Sequence, residues 1–253
     1  MLEFFEAAAA SPSGASAGVF IPIGDLPGVE ASEFANADPQ EVKEAKAVLG
    51  LLNAINNNLP TAALGLTITR NTASGGLDLT NNAFSITSQL YADHETKTLD
   101  ALPIPSTGSN SGVGDVSIDT LFPNAEKIAA DGAISGEGFL VPTADVERHG
   151  APDHASIVLA DDSRLWVQGL AEWLSVNLSV RTASQQSAIT ARTRGNTQAV
   201  TLPAPATDST NPTTGLSASD LNKISVFSHA YAVTIQTKMD QSTQKFDVNV
   251  VTA

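Results

Sequence analysis

Two apolar-rich segments of this chain keep one spacing over about 40 residues, and that spacing constrains the architecture more than any other feature. Phe20-Ile21-Pro22 lies over Phe139-Leu140-Val141-Pro142 with a slip of one residue at the proline. Gly50-Leu51, Ile55 and Asn58-Leu59 lie over Gly169-Leu170, Leu174 and Asn177-Leu178. The counterparts stand 119 positions apart, as Phe20 does from Phe139 and Gly50 from Gly169, and Asp25 and Asp145 nearly correspond. A shared offset of this kind points to tandem duplication of a unit made of an extended segment, a loop and a helix.

The local signals fill in that unit. Asp38 suits an N-cap, Pro39 the first helical position and Glu41 the third, as in a capping box. Val42, Ala45, Leu49, Leu52 and Ile55 follow at spacings of three and four, a single apolar stripe that runs to Asn56-Asn57-Asn58. A second helix is expected after Asp161-Asp162-Ser163, with Trp166, Leu170, Trp173, Leu174 and Leu178 on its buried face; both tryptophans of the chain are on it. Leu64 to Arg70 and Phe84 to Leu90 read as strands with Ser74-Gly75-Gly76 as turn residues between them. Ala188 to Thr193, Ile224 to Thr237 and Phe246 to Val251 read as strands in the second half. The segments from Leu102 to Gly114 and from Leu202 to Gly215 are Pro, Ser, Thr and Gly-rich loops of similar character. The expected fold is therefore α+β: a tandem duplication of one helix packed on an antiparallel sheet, preceded by an extended N-terminal arm. Residues 1–18 form the arm, 19–132 the first repeat and 133–253 the second.

Composition bounds the function. Charged residues are 16% and aromatics 5%, so the surface is filled by Ala, Ser, Thr, Asn and Gly. The formal charge of −14 repels phosphate backbones and anionic lipid headgroups, which argues against nucleic acid and membranes as partners. With no cysteine, disulfides, thiolate zinc sites and thiol nucleophiles are excluded together. Acidic residues Glu3 and Glu6 stand where a secretory signal needs a basic region, so no targeting peptide is read.

The candidate chemical motifs lack their required contexts. Gly14-Ala15-Ser16-Ala17-Gly18 has the nucleophile-elbow spacing, but an elbow needs a strand before the serine and a helix after it, and here an extended segment follows. Gly132, Gly136 and Gly138 do not have dinucleotide-binding spacing and precede a strand rather than a helix. His149 and His154, with Asp153 between them, sit around Gly150 and Pro152 in a loop and lack the helical register that would hold a metal. Asp115 and Asp119 lack the spacing of a calcium loop. Asp161 and Asp162 suit a helix N-terminus electrostatically. Asn177-Leu178-Ser179 has the glycosylation pattern, without a secretion signal. No enzyme, cofactor or metal is expected.

One charge feature stands out. No acid lies between Glu172 and Asp208, and Arg181, Arg192 and Arg194 fall in that interval, a basic patch suited to an acidic face of a neighbouring subunit. In the arm, Leu2, Phe4, Phe5 and Phe20 are the candidate anchors on a neighbour.

The small-residue, acidic, cysteine-free composition, with segments such as SPSGASAGVFIPIGDLPG and LPIPSTGSNSGVGD, resembles the virion structural proteins of tailed phages, especially capsid cement or decoration proteins. The resemblance implies a multi-copy shell component, located in the virion and assembled in the host cytoplasm. Its partners would be other capsid proteins, and no cofactor is implied. A tail or baseplate component of the same kind of particle is the first alternative. A carbohydrate- or surface-binding module is the second, and it is disfavoured because two Trp and two Tyr supply few exposed aromatics for a binding face.

Overall fold

The structure is a computed structural model. It describes residues 2–5, 16–29, 38–59, 66–76, 79–93, 99–101, 118–129, 134, 136–147, 163–181, 187–196, 198–200 and 224–238. The expected strand from Phe246 to Val251, the loops from Leu102 and Leu202, and His149, Asp153, His154, Asp161 and Asp162 lie outside these residues.

The protein is a mixed α+β fold with antiparallel sheets and few helices. A four-stranded sheet has the order β1 (Glu3–Phe5), β7 (Gly138–Pro142), β2 (Gly18–Pro22) and β6 (Glu126–Ile128), with antiparallel pairing throughout. A second, larger sheet has the order β3 (Leu66–Gly76), β4 (Leu79–Asp93), β10 (Ile224–Lys238) and β8 (Ala188–Arg194). Two short strands extend it, β5 (Leu99–Ala101) on β4 and β9 (Gln198–Val200) on β10. Two long helices, α1 (Gln40–Asn58) and α4 (Ser163–Asn177), and two short ones, α2 (Ile118–Leu121) and α3 (Thr143–Glu147), complete the described elements. A 3₁₀ turn, Ile23–Asp25, follows β2.

The larger sheet follows from period-two patterning. On β4, Asn82, Phe84, Ile86 and Ser88 are buried while Ser85 between them is exposed; on β10, Tyr231, Val233 and Ile235 are buried. The register places Phe84 opposite Val233 and Ile86 opposite Tyr231, so one face of both strands is apolar and packs under the helices. The stripe expected on α1, Val42, Ala45, Leu49, Leu52 and Ile55, is buried as read, and Val48 is buried beside it. On α4, Trp166, Leu170, Trp173 and Leu174 are buried, as is Leu178 just beyond its end.

Both sheets join strands from either side of residue 133: β2 pairs with β7, and β4 pairs with β10 along fifteen register positions from Ile224–Asp93 to Lys238–Leu79. The main core is likewise shared. Leu2, Ile21, Leu52, Phe84, Trp166, Leu174 and Ile235 belong to one cluster of buried side chains. A smaller cluster of Phe20, Ile128, Ile134 and Leu140 lies on the four-stranded sheet. Burying each such side chain contributes roughly 1.5–3 kcal/mol, so what joins the two halves is their principal source of stability.

Two local expectations are corrected. Asp38 does not cap α1: the helix begins at Gln40 with Pro39 at the cap position, and the Asp38 carboxylate instead accepts a bond from Lys46 Nζ at 3.1 Å. Nor is Ser74-Gly75-Gly76 the hairpin turn. β3 runs through Gly76 with a register shift between Ser74 and Gly76, because pairing with β4 as far as Leu79 overrides the local turn preference.

Candidate functional site

The most perturbed chemistry among the described residues lies where α4 packs on the larger sheet. Gln168 and Glu172 are four residues apart, hence on one face of the helix, and both are buried; Ser175 follows on the next turn. Ser175 is satisfied locally, its hydroxyl donating to the carbonyls of Ala171 and Glu172. Gln168 is half satisfied: Nε2 donates a long bond to the carbonyl of Gln89 on β4 at 3.5 Å, while Oε1 has no partner.

Glu172 is 5% exposed, and its Oε1 has no hydrogen-bond partner. Burial pushes its carboxyl up to about 7 from an ordinary 4.5. Ser88, Tyr231 and the charge of Arg194 oppose that shift without cancelling it. Ser88, fully buried on β4, and Tyr231 turn their hydroxyls to the carboxyl group and favour its charged form. Tyr231 on β10 is held well above the ordinary phenol range, first by burial and then by the neighbouring Glu172 charge. His229, two residues earlier on the same strand face and opposite Ser88, is lowered by burial and then by Arg194. Its ring stacks on that of Tyr231 with centroids 6.3 Å apart and planes within 11°. Arg194 reaches the group from β8, whose register sets it beside Tyr231. The arrangement can hold and release one proton; Glu172, Ser88 and Tyr231 meet there only because α4, β4 and β10 pack together.

The residues expected to form an interface are distributed differently. Leu2 belongs to the main core of its own chain, and Phe4 packs on Phe139 with ring centroids 5.7 Å apart. Phe20 is buried in the smaller cluster. Phe5 ends β1, opposite Gly138. Arg181, just past α4, pairs with Glu41 at the start of α1 at 2.6 Å and draws its partner from the other half of the same chain. Arg192 and Arg194 are exposed on β8. Arg181 thus ties the end of α4 to the start of α1, and Arg194, on the same strand as Arg192, approaches Glu172.

Ser16 is exposed and leads into the strand β2. Asp119 lies in the first turn of α2. Among the described residues no group of three or more His, Asp or Glu could hold a metal ion, and no helix is long and apolar enough to cross a membrane. Glu172 was the residue that sequence reasoning passed over. Its signal was a polar pair at helical spacing, Gln168 and Glu172, on a helix otherwise apolar on several sides.

No family model, curated protein or solved structure matches this chain.

Proposed function

We propose that the protein is a structural component of a large assembly, a capsid cement or decoration protein of a tailed-phage particle that stabilises the shell through protein–protein contacts. The observation that carries this reading is the exposed edge strand β3. It is eleven residues long, and Thr67, Thr69, Asn71, Thr72, Ala73 and Ser74 on it are exposed; among the described residues only β4 pairs with it. A long edge with one charged residue, Arg70, and a register shift only at its Ser74–Gly76 end is an association surface that soluble monomers usually guard with lysine, proline or bulges. A neighbour that covers it gains backbone hydrogen bonds at little desolvation cost, and the acidic chain keeps clear of the packaged genome.

The duplicated-unit reading supports a modular scaffold, and two pairs of close approaches favour it. A Cβ on Gly50 would lie 2.7 Å from Leu26 Cβ, and one on Gly169 would lie 2.7 Å from Val146 Cγ1, so each long helix has a glycine pressed on the residue four positions past the end of a strand, Pro22 or Pro142. Gly18 and Gly138 open β2 and β7, and a Cβ on either would strike a carbonyl of the other strand, that of Val141 or of Ile21. The β2–β7 ladder, running from Gly18–Pro142 to Pro22–Gly138, is centred on Phe20–Leu140 and is unchanged in form when the two strands are interchanged. These are the relations expected of two copies of one unit packed about a local two-fold axis.

Sedimentation of unfractionated source material, with detection of this chain, tests the reading. Recovery in a very large particle supports it; recovery as a free monomer or dimer overturns it. Deletion of residues 1–18 would not isolate docking, because it removes Leu2 from the core. The sharper variant is Thr69→Lys, which places a charge at an exposed position of the β3 edge and should lower incorporation into particles while leaving the monomer folded.

A further inference from the structure

We propose that the packing of α4 on the larger sheet is a proton-operated catch, closed while Glu172 is protonated and loosened when it ionises. A carboxylate 95% removed from solvent, with no partner for Oε1, met by the neutral hydroxyls of Ser88 and Tyr231 and one helical turn from the unpartnered Gln168 Oε1, is a costly arrangement when charged. As a neutral acid, Glu172 carries a proton to donate and loses the charge penalty. Ionisation reverses both gains, and the cheapest remedy is to let water and the Arg194 guanidinium reach the carboxylate by slackening the seam.

The surroundings select this group as the sensor. From β10 it is faced by Tyr231, which stays neutral throughout the accessible range, and by His229, whose titration is displaced below its ordinary value. From β4 it is faced by Ser88, which does not titrate, and from β8 by the Arg194 guanidinium, with Arg192 beyond it. Asp119 on α2, Asp145 and Glu147 on α3 and Asp100 on β5 are the described acids on the other elements packed against α4. With the Glu172 carboxyl near 7 when closed and near 4.5 when open, the closing equilibrium weakens about tenfold between pH 6 and pH 8. The inference stands apart from the assembly reading, since it concerns the isolated chain.

The test is amide hydrogen exchange of the full-length protein at pH 6 and pH 8, corrected for intrinsic exchange rates, with α1, whose raised acid Glu44 is only half-buried, as the control within the same molecule. Protection in residues 163–177 should fall about tenfold more than in residues 40–58. In Glu172→Gln, which keeps the shape and cannot ionise, the two helices should change in parallel. Trp166 and Trp173, the chain's only tryptophans, give a second readout: emission should shift to the red between pH 6 and 8 in the wild type and not in the variant. Parallel behaviour of α1 and α4 in the wild type, or a wild-type response that persists in Glu172→Gln, overturns the proposal. Should Glu172→Gln fail to fold, Glu172→Leu takes its place, and the wild-type ratio of the two helices still decides.

Discussion

The two long helices, α1 and α4, pack into the same core by different means. The buried face of α1 is made of Val42, Ala45, Val48, Leu49, Leu52 and Ile55, and its one buried polar side chain, Asn53, anchors a turn by donating to the carbonyl of Pro27 at 3.0 Å. α4 buries larger apolar groups, Trp166 above all, but it also carries Gln168, Glu172 and Ser175 into the interior. α1 carries one perturbed acid, Glu44, half-buried and raised by that burial. α4 buries its perturbed acid, Glu172, almost completely and its carboxyl is pushed up to about 7, so two helices of similar length in one core differ in how far pH controls them.

The largest effect tests whether the core is one. Leu52→Ala on α1 and Leu170→Ala on α4 should each cost about 2–5 kcal/mol, and each should move a single unfolding transition in urea, seen together by circular dichroism and tryptophan fluorescence. Two separated transitions would show that the halves fold independently. Next comes the pH dependence. Native Glu172 binds its proton more tightly than the unfolded chain does, so its contribution to stability is complete below about 4.5, falls as pH rises and is lost above about 7. The loss is at most ~3 kcal/mol. The difference in denaturation midpoint between wild type and Glu172→Gln at pH 5, 6, 7 and 8 isolates it, and equal pH profiles would remove the distinction between the helices.

Overpacking should act on both helices alike. Gly50→Ala and Gly169→Ala each force a methyl against a neighbour at 2.7 Å and should cost about 1–3 kcal/mol in thermal or urea unfolding. A large cost at one and none at the other would break the correspondence between the two units. The smallest effect belongs to Arg181, 52% exposed at its side chain. Arg181→Ala should lower stability by less than about 1 kcal/mol, and salt should erase the difference.

Much of the fold was legible in the residues. The α1 stripe, the end of that helix at Asn58, the α4 stripe with both tryptophans, and the long strand from Ile224 all follow from periodicity, because each element's buried face is written in its own spacing. The cap at Asp38 and the turn at Ser74 were misread for one reason: each is a weak local preference, and a tertiary partner, Lys46 or the β4 ladder, outweighed it. The short strands β1 and β6 were illegible, since three residues carry no period and exist as strands only because β7 and β2 pair with them.

The candidate site was less legible than the fold. Arg194 was visible as a charge in an acid-free interval, but its role could not be read there. Its relation to Glu172 needs Tyr231, Ser88 and a sheet joining β8, β10 and β4, residues separated by more than a hundred positions in sequence.

By itself, then, the sequence determined the element types, the absence of thiol chemistry and the acidic, weakly charged surface, all of which depend on residue identity and local spacing. Only the tertiary structure decided that strands from both halves interleave into shared sheets, that Leu2 and Phe20 are buried within the chain, and that Glu172 loses its water. Those outcomes depend on which surfaces meet, and burial, charge cost and pairing are properties of the meeting rather than of either segment alone.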